Sequence, residues 1–66
     1  MKYLIEKKYT ESVKLTDGTL KSFTSGLAVE VNVESAEQLV AENDKLLAQV
    51  QWLVARDIQN TFNPGA

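Results

Sequence analysis

The 66-residue chain contains no cysteine and no histidine. The first absence excludes disulfides and thiol nucleophiles, and the two together exclude thiolate or imidazole metal sites and a histidine general base. A catalytic centre would have to be assembled from carboxylates, lysine, tyrosine or hydroxyls, so neither an enzyme nor a cofactor is expected. Proline occurs once, as Pro64, and glycine three times, as Gly18, Gly26 and Gly65. No apolar run approaches the roughly 20 residues that cross a bilayer. The opening Met1-Lys2-Tyr3-Leu4-Ile5-Glu6 is too short and too soon charged to act as a signal peptide. The expectation is a cytoplasmic protein with no membrane partner.

What is present points to a single small globular domain: 44% hydrophobic residues, 24% charged residues and a formal net charge of −2. A core in a chain of fewer than about 70 to 80 residues rarely supplies more than about 3 to 5 kcal/mol, and no covalent staple is available here. Self-association is the remaining remedy, and a homo-oligomer, either a dimer or a higher even oligomer, is expected.

Two extended stretches flank Thr16-Asp17-Gly18, whose Asp-Gly pair signals a hairpin. In the second stretch Phe23, Leu27, Val29, Val31 and Val33 are apolar at odd positions, alternating with Ala28, Glu30 and Asn32. In the first, Tyr3, Ile5, Tyr9, Val13 and Leu15 are also odd, with Leu4 the exception. A two-residue loop at Asp17-Gly18 would pair odd with even and set Val29 opposite Glu6. A three-residue loop with Gly18 in the left-handed conformation pairs Leu15 with Thr19, Ile5 with Val29 and Tyr3 with Val31. The second register keeps both apolar sets on one face and is preferred; a bulge at Gly26 is another route to the same parity.

The helix starts after Ser35, where Ser35-Ala36-Glu37-Gln38 reads as a capping box and Glu37 suits the positive end of the helix dipole. Between Ala36 and Asn60 there is neither glycine nor proline, and Pro64-Gly65 marks a finished tail. Leu39, Val40, Leu46, Leu47, Val50, Leu53, Val54 and Ile58 form one stripe at 3.6 residues per turn, expected to cover the sheet. Asn43 and Asp57 interrupt it, as rim residues, satisfied buried groups or register devices. The fold class is therefore expected to be α+β: an antiparallel β-hairpin packed against one long C-terminal helix and completed by oligomerisation. Residues 1–60 form the ββα domain and 61–66 a flexible tail.

Two surfaces stand out. On the helix, Ala41, Ala48, Trp52 and Ala55 project roughly opposite Val50. Small residues beside the only tryptophan suit an oligomer or partner interface, because tryptophan is enriched at interface hot spots; the alternative is that alanine serves helix propensity alone and the ring lies flat on its own surface. On the first strand charge is uneven. Residues 1–22 carry Lys2, Lys7, Lys8, Lys14 and Lys21 against Glu6, Glu11 and Asp17, whereas 23–66 carry Lys45 and Arg56 against Glu30, Glu34, Glu37, Glu42, Asp44 and Asp57. Lys8, Thr10 and Ser12 share a face on which an ammonium and two hydroxyls can meet phosphate oxygens, with Tyr9 packed beneath. Lysines also decorate exposed edge strands to prevent aggregation, which is the competing reading. An isoelectric point near 4.9 and a single arginine disfavour nucleic acid. The carboxylates match neither a calcium loop nor a metal cluster, and no glycine loop cradles phosphate.

Tyr9-Thr10-Glu11-Ser12-Val13, Leu27-Ala28-Val29-Glu30-Val31-Asn32-Val33 and the helix through Leu46, Leu47 and Ile58 together resemble the small strand-strand-helix accessory proteins found in tailed-phage genomes. That resemblance implies a non-catalytic counter-defence role in the host-cell cytoplasm, either sequestering a nucleotide signal or blocking a host defence protein. A single-strand nucleic-acid-binding accessory protein and a purely structural oligomerisation module are the alternatives.

Overall fold

A computed structural model of the chain describes residues 1–62. Strand β1 (Lys2–Lys14) and strand β2 (Leu20–Asn32) form a two-stranded antiparallel sheet, followed by helix α1 (Ala36–Phe62). The α+β hairpin-and-helix architecture is the expected one. Its register pairs Tyr3 with Val31 and Ile5 with Val29, without a break from Lys2 opposite Asn32 to Lys14 opposite Leu20. Gly26 therefore holds no bulge. It sits opposite Lys8 where the backbones crowd: a Cβ there would lie 3.3 Å from the Lys7 carbonyl oxygen.

The turn sets this parity. Gly18 donates its N–H to the Leu15 carbonyl at 3.0 Å, and Leu15 donates to the Thr19 carbonyl at 2.7 Å. Gly18 has φ of +90°, a conformation that side-chain-bearing residues rarely adopt. Asp17 Oδ1 accepts from the Thr19 hydroxyl at 2.7 Å and the Thr19 N–H at 3.0 Å. Those bonds, the hydroxyl's first, favour the ionised form and hold the Asp17 carboxyl below its usual range.

At the start of α1, Ser35 Oγ accepts from the Gln38 N–H at 3.2 Å, as a helix N-cap should. The Gln38 side chain reaches back to accept from the Glu34 N–H at 2.7 Å. α1 runs past the expected end at Asn60 to Phe62, with the Thr61 hydroxyl bonded to the Asp57 carbonyl at 2.9 Å. The expected tail at Pro64-Gly65 lies outside the described residues.

The helix lies over both strands equally, and its stripe meets the odd face of the hairpin. Ile5, Phe23, Val33, Leu46, Val50 and Val54 form the buried core. Leu39, Leu47, Leu53 and Ile58 are half-buried around it, as are Asn43 and Asp57, which sit at the rim. Val40 departs from the expected stripe and is 58% exposed. It lies about 100° around the helix from each of its neighbours in sequence, on the flank where a sheet only two strands wide no longer reaches.

Candidate functional site

The pleat divides the hairpin into unlike faces. Odd side chains face α1, whereas every even-numbered residue of β1 and β2 is exposed. Lys8, Thr10 and Ser12 accordingly share the open outer face. The Thr10 hydroxyl shares a hydrogen bond with Thr24 at 2.8 Å, and the Ser12 hydroxyl with Ser22 at 2.9 Å. These pairs meet because each residue is directly opposite its partner in the register. A shallow depression of about 250 Å³ beside Lys8 is lined also by Glu6, Gly26, Leu27 and Ala28, so an acidic residue shares it with the lysine.

Tyr9 lies on the opposite, helix-facing side and is half-buried. Its hydroxyl donates to Glu11 Oε1 at 3.1 Å, and that bond, with the carboxylate's charge, raises the phenol above its ordinary value of 10.0. The structure therefore brings Lys8, Thr10 and Ser12 onto one surface and places Tyr9 across the sheet from them.

The helix residues also divide. Trp52 and Ala48 line an open groove of about 490 Å³ together with Lys45, Gln49, Leu53 and Leu27 of β2. Its walls are almost wholly apolar. Trp52 is 61% exposed, and the Arg56 guanidinium stacks on its ring at 5.4 Å. Ala41 and Ala55 are exposed and lie away from the groove. A second hollow of about 320 Å³ continues along the same flank, between Leu27, Ala28 and Val29 of β2 and Glu42, Lys45, Leu46 and Gln49 of α1. The contribution of Leu27 was not foreseen, although its odd position already placed it under the helix.

Among the described residues no helix is long and apolar enough to cross a membrane, and no group of three or more carboxylates is placed to hold a metal ion. No family model matches the chain, and neither a curated protein nor a solved structure is significantly similar to it.

Proposed function

We propose that the chain is a non-catalytic binding protein that works as a homo-oligomer in the cytoplasm and acts by covering a surface of another protein. In the setting of the phage accessory proteins it resembles, that partner is a host defence protein. The observation that carries this reading is the open outer face, on which every even-numbered residue of both strands is exposed. Folding leaves that face uncovered while the other is packed under α1. Its small hydroxyl residues and lysines, with the exposed Leu4 and Leu20 among them, offer a mixed polar and apolar surface of the kind that another protein's surface can meet.

Capture of a free nucleotide has less support. Small phosphorylated ligands are held in concave sites by converging donors, whereas here Thr10 and Ser12 are bonded to Thr24 and Ser22. Single-stranded nucleic acid is held by stacking bases on aromatic rings beside basic groups, and none of the even-numbered residues that make up the outer face is aromatic; the exposed Trp52 stands on α1 instead.

Affinity capture from host lysate, compared between the parent and Thr24→Arg, tests the proposal, with calorimetry against linear and cyclic nucleotides run beside it. The parent should retain one defence protein stoichiometrically, Thr24→Arg should lose it with an unchanged circular dichroism spectrum, and nucleotides should give no heat. Nucleotide binding that disappears in Lys8→Ala would overturn the reading in favour of signal sequestration.

A further inference from the structure

Three features lie away from the outer face: the free edge of β2, the apolar groove beside it, and the charged side chains along that flank of α1. We propose that a second copy of the chain occupies all three, pairing β2 to β2 antiparallel about a two-fold axis that passes close to Leu27 and Gln49. The product is a continuous four-stranded sheet with two antiparallel helices side by side on one face. This rests on the reading of the chain as a homo-oligomer and specifies the surface that makes it one.

Backbone parity is the first argument. Leu15 donates to Thr19 and Val33 to Met1, at 2.7 and 3.0 Å, so the odd pairs are the hydrogen-bonded ones. Even residues of β2 then direct their N–H and C=O groups outward, to an edge that no strand covers among the described residues. A two-fold axis at Leu27 places Gly26 opposite Ala28 of the second copy and Thr24 opposite Glu30. All four are even, so the unpaired groups meet. The edge of β1 is a poorer candidate, because it carries Lys2, Lys7, Lys8 and Lys14 where β2 has only Lys21 and Glu30 as charged residues.

Spacing is the second argument. Since α1 lies over both strands equally, the two helix axes would be separated by the width of one hairpin. Two strand spacings amount to about 9.6 Å, within the roughly 8 to 10 Å at which helices pack. The helices would therefore touch without any adjustment of the sheet. Leu27 from each copy would meet its counterpart beneath them, and Trp52 and Leu53 would close over the groove they now leave open.

Charge is the third. The flank of α1 that borders β2 carries Glu42, Lys45, Gln49 and Arg56, with Trp52 above. Antiparallel helices centred on Gln49 set Glu42 opposite Arg56 twice over, and Lys45 opposite Leu53 at the edge of the Trp52 ring. Parallel helices would set Glu42, Lys45 and Arg56 each against its own copy, which is repulsive. The seam follows a helix of 27 residues, about 40 Å long, enough for an interface approaching the roughly 800 Å² per partner of a standard complex.

Sedimentation equilibrium of the parent, Ala28→Pro, Glu6→Pro, Glu42→Arg, Arg56→Glu and the double variant decides the matter, with circular dichroism to confirm the fold. Proline at Ala28 removes an outward N–H and spares the ladder to β1. It should raise the dissociation constant about 100-fold or abolish the dimer, while Glu6→Pro, at the matching place on β1, leaves it intact. Each single charge reversal should weaken the dimer about tenfold, and the double reversal should restore it. A parent that remains a folded 7.3 kDa monomer at micromolar concentration overturns the oligomer itself. A dimer indifferent to both Ala28→Pro and the charge reversals overturns this interface while leaving the oligomer standing.

Discussion

β1 and β2 have the same length and the same sequence of exposed, half-buried and buried positions, yet β1 carries six charged residues and β2 two. Packing under α1 makes the same demand on each strand: one buried anchor, Ile5 in β1 and Phe23 in β2, with flanking half-buried positions. The lysines of β1 are therefore not required by the core. Their placement on one strand only distinguishes two edges that backbone geometry alone would leave equivalent, and makes one of them resistant to further pairing.

The equivalence of the inner faces can be broken most strongly at the anchors, which are both 8% exposed. Phe23→Ala should cost about 3 to 5 kcal/mol and Ile5→Ala about 2 to 5 kcal/mol. Chemical denaturation at one protein concentration measures both. In a core this small either loss removes a large share of the stability. A small cost at Ile5 with a large one at Phe23 would show that β2 alone holds the helix.

The inequality of the edges is sharpened by removing the lysines. Replacing Lys2, Lys8 and Lys14 by serine should change stability by no more than about 0.5 kcal/mol, because these side chains are exposed. It should nonetheless open a second edge, so that light scattering detects assemblies larger than those of the parent. An unchanged size distribution would mean that the lysines do not guard the edge.

The smallest effect lies in the turn that joins the strands. Asp17 has its carboxyl held below the ordinary value by Thr19, so its contribution is fully present above the unfolded-state value near 3.8 and is lost as pH falls through the lower folded-state value. Asp17→Asn keeps an acceptor oxygen but does not titrate there. Acid titration followed by circular dichroism should find the parent losing more stability than Asp17→Asn across that interval.

Register, turn and cap were legible because each rests on local chemistry: odd parity in both strands, Asp17-Gly18 between them, and Ser35 three residues before Gln38. Val40 was misplaced because helical periodicity gives an angle around the axis but says nothing of how wide the opposing sheet is. The self-pairing of Thr10 with Thr24 and Ser12 with Ser22 follows from the same register that sets Ile5 against Val29. Reading one strand at a time conceals it, and the hydroxyls then look free for a ligand. The division of the alanine face, with Ala48 at the groove and Ala41 and Ala55 beyond it, depends on which way α1 is rolled over β2, and one-dimensional spacing does not fix that roll.

The nested register also has a kinetic meaning. Every rung from Lys14 opposite Leu20 to Lys2 opposite Asn32 lies outside the one before it, so each pair that forms brings the next within reach. Among the described residues the loops to close are the short turn around Asp17 and the brief connection from Asn32 to Ala36. Contacts between residues some thirty positions apart are thus reached by zipping outward, without a large loop-closure penalty for any of them. A ribbon nested in this way favours turn-first assembly, with the local rungs forming before the distant ones.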